Sequence, residues 1–175
     1  MIRHRLAEVV RAVAHAIERL HAAKRVEDAA QDVLELLGRA ACSERATFWT
    51  LDPERRQLQA IANWDAAGFC RFKQGGGHRT PTLSLGNAGH VWRSRKPLWG
   101  TSLVFATVPD QSVDVGLRGG VWFAVKSDTA VYGVIELLGC ALEPMTADHL
   151  ACVERLGVRL GHVLEELRYG RVRLH

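Results

Sequence analysis

Apolar side chains recur at Leu6, Val10, Val13, Ile17 and Leu20, with arginine, glutamate and histidine between them. Spacings of four and three put all five on one stripe, so residues 5–23 are predicted to form an amphipathic helix with a heptad-like seam. A second helix is predicted over Val26–Ala40, turning Val33, Leu36 and Leu37 to a core and ending near Gly38. The period then shortens. Ala46–Leu51 and Gln57–Trp64 flank the turn Asp52-Pro53-Glu54-Arg55-Arg56 and read as a β-hairpin, with Leu58, Ala60, Ala62 and Trp64 on alternate positions.

Residues 65–83 are irregular around Gly75-Gly76-Gly77 and Pro81, and Ala88–Arg95 forms a short helix that Pro97 stops. Gly120–Lys126 and Ala130–Leu138, joined by Ser127-Asp128-Thr129, give a second hairpin. A last helix, from Thr146 to Arg168, carries Val153, Leu156, Leu160, Val163 and Leu167 at heptad spacing. This order predicts an α+β fold: a central antiparallel sheet of about six strands, terminal helices on one face, and loops with short helices enclosing a pocket on the other. The domain occupies residues 26–168, preceded by a signalling or dimerisation helix over residues 1–25 and followed by a basic tail over residues 169–175.

Both seams reach the expected ends of the domain, where no sheet remains to cover them. The sequence therefore predicts a parallel homodimer through Leu6, Val10, Val13, Ile17, Leu20, Val153, Leu156, Leu160, Val163 and Leu167.

Hydrophobic residues make up 47% of the 175 and charged ones 24%, as in a globular chain with a substantial core. The net charge of +4 gathers at the ends, in Arg3, Arg5, Arg168, Arg171 and Arg173, which argues against a nucleic-acid-binding face. No apolar run is long enough to span a bilayer, and the start lacks a signal-peptide core, so a cytoplasmic location without membrane contact is expected. Cys42, Cys70, Cys140 and Cys152 form no C-x-x-C pair and have no histidine at ligand spacing, so no metal site is expected. No hydrolytic triad, P-loop or dinucleotide-binding glycine pattern occurs.

Three segments taken in order carry a resemblance. Gly86-Asn87-Ala88-Gly89-His90-Val91-Trp92-Arg93-Ser94-Arg95-Lys96-Pro97-Leu98-Trp99 is followed by Gly116-Leu117-Arg118-Gly119 and then by Gly133-Val134-Ile135-Glu136. Together they resemble the GAF domain family over roughly residues 26–168. The resemblance implies a GAF- or PAS-like fold and a non-catalytic sensory module. Such a module binds a small molecule and signals through terminal helices to a kinase, cyclase or transcriptional output domain, fused or separate. It leaves the ligand's identity unknown. Residues 100–118 hold no cysteine or histidine, which argues against a covalently attached bilin, while a haem is compatible with the pattern. Two alternatives follow from the same family: a thiol-based free methionine sulfoxide reductase, with Cys70 in a loop, and a ligand-free dimerisation module.

The ligand-binding candidates are Trp64, Phe72, His90, Trp99, Trp122 and Glu136. Glu136 lies between Ile135 and Leu137 in a central strand, where an unpaired carboxylate is costly, so it needs a partner. That partner is a ligand amine or amide, or a structural bond to backbone or to an arginine such as Arg118. Alternation sends Trp122 and Ala124 to the pocket if Val121 and Phe123 face the helices, and the same parity nominates Phe48 and Trp64. His90 offers a ligand or iron donor or a surface position, and Trp92 and Trp99 form pocket wall or core. Arg71, between Phe69, Cys70 and Phe72, is placed to meet a carboxylate or phosphate, or belongs to a solvated loop.

Overall fold

The computed structural model describes residues 11–19, 22, 26–67, 86–101, 117–140, 142 and 144–172. Among them run α1 (residues 11–19), α2 (Val26–Ala41), β1 (Arg45–Asp52), β2 (Gln57–Asp65), α3 (Gly86–Ser94), β3 (Leu98–Gly100), β4 (Gly119–Lys126), β5 (Val131–Gly139) and α4 (Ala147–Val172). The strands form one antiparallel sheet in the order β2-β1-β5-β4-β3. All four strands expected from alternation are present, each end within one residue of its expected place. β3 is the addition. At three residues it is too short for a period to be read, and among the described residues the sheet has five strands.

α1, α2 and α4 cover one face of the sheet. Their Val13, Ala16, Val33, Leu34, Leu37, Val153, Leu156, Leu160 and Val163 merge with Phe48, Val121, Phe123, Val125, Ile135 and Leu137 into one buried cluster. Of the residues expected at a dimer seam, Val13, Val153, Leu156, Leu160 and Val163 are buried within the single chain, and Ile17 and Leu167 pack against the same cluster. The helices lie over the sheet along these apolar stripes. Leu6, Val10 and Leu20 lie outside the described residues.

Each hairpin carries its own helix. α2 packs on β1 and β2, where Gly38 leaves the space that the Trp64 ring occupies and Arg39 stacks 5.9 Å from that ring's centroid. α4 runs over β4 and rests directly on strand backbone, because Gly157 and Gly161 lie against the carbonyls of Ala124 and Lys126. Polar contacts fasten it further. Lys126 Nζ donates to Glu154 at 2.7 Å, and the Ser127 and Thr129 hydroxyls donate to Glu165. These bonds hold the Glu165 carboxyl below the usual carboxylate range. Between α2 and α4, over the β1–β5 ladder, lies an apolar void of about 20 Å³ lined by Val33, Leu34, Phe48, Ile135, Leu160 and Leu164.

The second face carries a separate cluster of Trp49, Leu58, Trp122, Ala124, Val134 and Leu138, capped by Ala88 and Val91 of α3. α3 ends at Arg95, whose φ of 58° and N–H to the Val91 carbonyl at 2.9 Å close the last turn two residues before Pro97. The expected alternation of β2 breaks at Ile61. Phe48 pairs with Ala62 and Trp49 with Ala60, so Ile61 is an extra residue that reverses the side-chain parity of the strand. Leu58 and Ala60 therefore join the second face, while Ala62 and Trp64 face the helices.

Candidate functional site

Strand register sets Asn63, Thr47, Glu136, Trp122 and Leu98 side by side in one row across all five strands. The row grades from amide through hydroxyl and carboxyl to indole and alkyl. Glu136 is its centre, 6% exposed on the middle strand. The Trp122 indole N–H donates to Glu136 Oε2 at 2.6 Å. A glycine makes that geometry possible. The indole lies over Gly120, where a Cβ would come within 2.6 Å of the ring, whereas a Cβ at Gly100 on β3 would make only an ordinary contact with the ring edge at 4.0 Å. Gly120 thus leaves the room in which the indole reaches Glu136.

On β1, two residues from Thr47, the Trp49 indole joins the same face. Its N–H has no hydrogen-bond partner among the described residues, although the indole lies near enough to favour the charged form of Glu136. One row further, Arg45 Nε donates to Asp65 Oδ1 at 2.8 Å, with the Asp65 side chain only 7% exposed. Burial pushes the Glu136 carboxyl above the usual carboxylate range, and the Trp122 and Trp49 indoles and Arg45 offset only part of that rise.

Of the residues expected to form the site, Trp122 and Glu136 come together. Trp64 does not, because the Ile61 bulge turns it toward α2, and Phe48 faces the helices with it. Trp99, opposite Val121 on β3, also packs on the helix side of the sheet. His90 is exposed on α3, and Phe72 and Arg71 lie outside the described residues. The partner of Glu136 is an indole rather than Arg118, which is exposed and engages the Gly139 carbonyl through its backbone N–H. Thr47, Trp49 and the Arg45–Asp65 pair were missed, though alternation against Ala46 and Phe48 in β1 is a usable signal for the first two.

Among the described residues no group of three or more histidine, cysteine or acidic side chains gathers as a metal site, and no helix is long and apolar enough to cross a membrane. Cys42 is exposed beyond α2, Cys152 lies on α4 within 2.9 Å of Arg155 Nη2, and Cys140 ends β5 beside the second cluster. Burial, with Glu44 adding to it, pushes the Cys140 thiol up.

No family model and no curated protein matches the sequence. Solved structures do match. The chain superposes on the GAF domain of a phosphoenolpyruvate-protein phosphotransferase from Coxiella burnetii with a TM-score of 0.72 at 14% identity, over 95% of this chain and 98% of that one. A free methionine-R-sulfoxide reductase from Neisseria meningitidis, in complex with its substrate, matches at a TM-score of 0.73 and 13% identity, over 94% and 93%. A bacteriophytochrome from R. palustris matches at 0.64 and 14%, this chain covering 39% of that much longer one. The chain has a GAF-domain fold, a scaffold shared by domains of signalling proteins and by reductases.

Proposed function

We propose that the chain is a sensory or regulatory module that binds a small molecule on the sheet face opposite the helices, and that the terminal helices report occupancy to an output domain. The observation that carries this reading is the buried Glu136–Trp122 pair at the middle of that face. A carboxyl kept in an apolar layer is costly, and pocket walls combine apolar area with a few placed polar groups. Native mass spectrometry and absorbance of the purified protein test it. A co-purifying molecule lost in Glu136→Gln supports the reading, whereas a clean mass and no thermal shift with any metabolite pool favour a ligand-free interaction module.

A second reading, a thiol-dependent reductase acting on free methionine sulfoxide, draws on Cys140 lying beside the same face. Its raised thiol is the wrong way for a thiolate nucleophile at neutral pH, which makes this the weaker reading. Methionine formed from the sulfoxide with a thiol reductant, and lost in Cys70→Ser or Cys140→Ser, would reverse that order.

A further inference from the structure

This inference rests on the ligand face proposed above and concerns the charge of what it holds. On that face Arg45 is paired with Asp65 at 2.8 Å, and its charge offsets only part of the cost of burying Glu136. Glu136 then remains as a buried carboxyl with no cation within salt-bridge distance among the described residues. Such a group has two stable conditions: it keeps a proton, or it receives a positive charge that replaces one.

The surroundings favour the second when a ligand is present. Trp122 takes one of the carboxyl's lone-pair sites and the Trp49 indole lies beside it, so acceptor capacity for a further donor remains. Trp49 and Trp122 bring two indoles to the face on the strands that flank β5, and indole faces attract cations. Beside them Ala88, Val91, Leu98 and Ala124 make the surroundings of the pair apolar. An anion would instead have to approach Glu136 and Asp65 while Arg45 is engaged.

We propose that this face binds a small organic monocation with an N–H donor, an ammonium or amidinium on an apolar body, and that its charge takes the place of the proton on Glu136. The exchange balances: the cation enters intact, its N–H donates to the carboxylate, and the carboxyl proton passes to solvent. Other charged or titratable groups near the face are Arg45 on β1, Asp65 on β2, exposed His90 and Arg93 on α3, and Cys140 after β5. β4 contributes only Trp122 and Ala124 there, since the Lys126 amine is bound to Glu154 and the Arg95 carbonyl.

Benzylammonium, benzyl alcohol and benzoate share one body and differ in charge, so titration calorimetry at neutral pH tests the proposal. Benzylammonium should bind at least tenfold more tightly than the other two, with a heat that differs between phosphate and Tris because a proton is released. Glu136→Gln should cost at least tenfold and abolish the buffer dependence, while Glu54→Gln in the exposed β1–β2 turn changes nothing. If Glu136→Gln does not fold, the buffer dependence of the unsubstituted protein decides. Benzylammonium failing to bind at millimolar concentration, or binding without proton release, overturns the proposal. Tighter binding of benzyl alcohol or benzoate overturns the charge assignment yet leaves the ligand face standing.

Discussion

Trp122 and Glu136 lie directly opposite one another on the β4–β5 ladder, and the indole of one donates to the carboxyl of the other at 2.6 Å. Cross-strand pairing brings them together, and Gly120 leaves the ring the room to point there. Trp122→Phe keeps most of the apolar volume and removes the donor. It is expected to cost about 1–3 kcal/mol, the penalty for an unsatisfied buried polar group. In Glu136→Leu, where no acceptor remains, the same Trp122→Phe change should cost much less, a non-additivity that urea denaturation of the four variants measures.

Glu136 also makes stability depend on pH. Burial raises its carboxyl in the folded chain above the unfolded value, so the folded state holds its proton to higher pH. Between those two values the unfolded chain binds fewer protons, and stability falls as pH rises through the window. Below the ordinary carboxylate value both states are protonated and the penalty vanishes. The difference in unfolding free energy between the unsubstituted protein and Glu136→Gln should therefore shift against the glutamate as pH increases, then level off. A difference independent of pH contradicts the burial of an ionisable carboxyl here.

Gly157 and Gly86 disfavour alanine for different reasons and to different degrees. A Cβ at Gly157 would run into the backbone carbonyl of Ala124, which cannot move without displacing β4. Gly157→Ala is expected to destabilise by about 3 kcal/mol or more, as overpacking against backbone does. Gly86 has open space around it and a φ of 80°, so alanine there meets only conformational strain of about 1 kcal/mol. Thermal melts of the two variants should separate clearly.

The void between α2 and α4 accepts one more carbon. Val33→Ile keeps a β-branched residue in the helix and adds a methylene toward the space. A gain of up to about 0.8 kcal/mol is expected, the value of one buried methylene. An isoleucine that lowers the melting temperature would mean the void does not lie within its reach.

Period-two alternation was enough to read β1, β2, β4 and β5, because one face of each packs under helices. It also placed Trp122 and Ala124 opposite Val121 and Phe123, and register then joined Trp122 to Glu136. Trp64 went to the wrong face because a single unpaired residue, Ile61, inverts parity and leaves no mark in the hydrophobic pattern. Trp99 could not be assigned a face, since three residues carry no period. A heptad stripe also looks the same whether a partner helix or the chain's own sheet covers it, and here Val13, Leu156 and Leu160 are covered by the chain itself.

Most helices lie on a sheet through a cushion of side chains, whose rotamers absorb small movements underneath. At Gly157 and Gly161 that cushion is missing, and α4 bears on the carbonyls of Ala124 and Lys126 themselves. β4 is also the strand that carries Trp122 on its opposite face. The indole and the helix are thus mounted on opposite sides of one strand, and at these two glycines the helix meets that strand's own backbone.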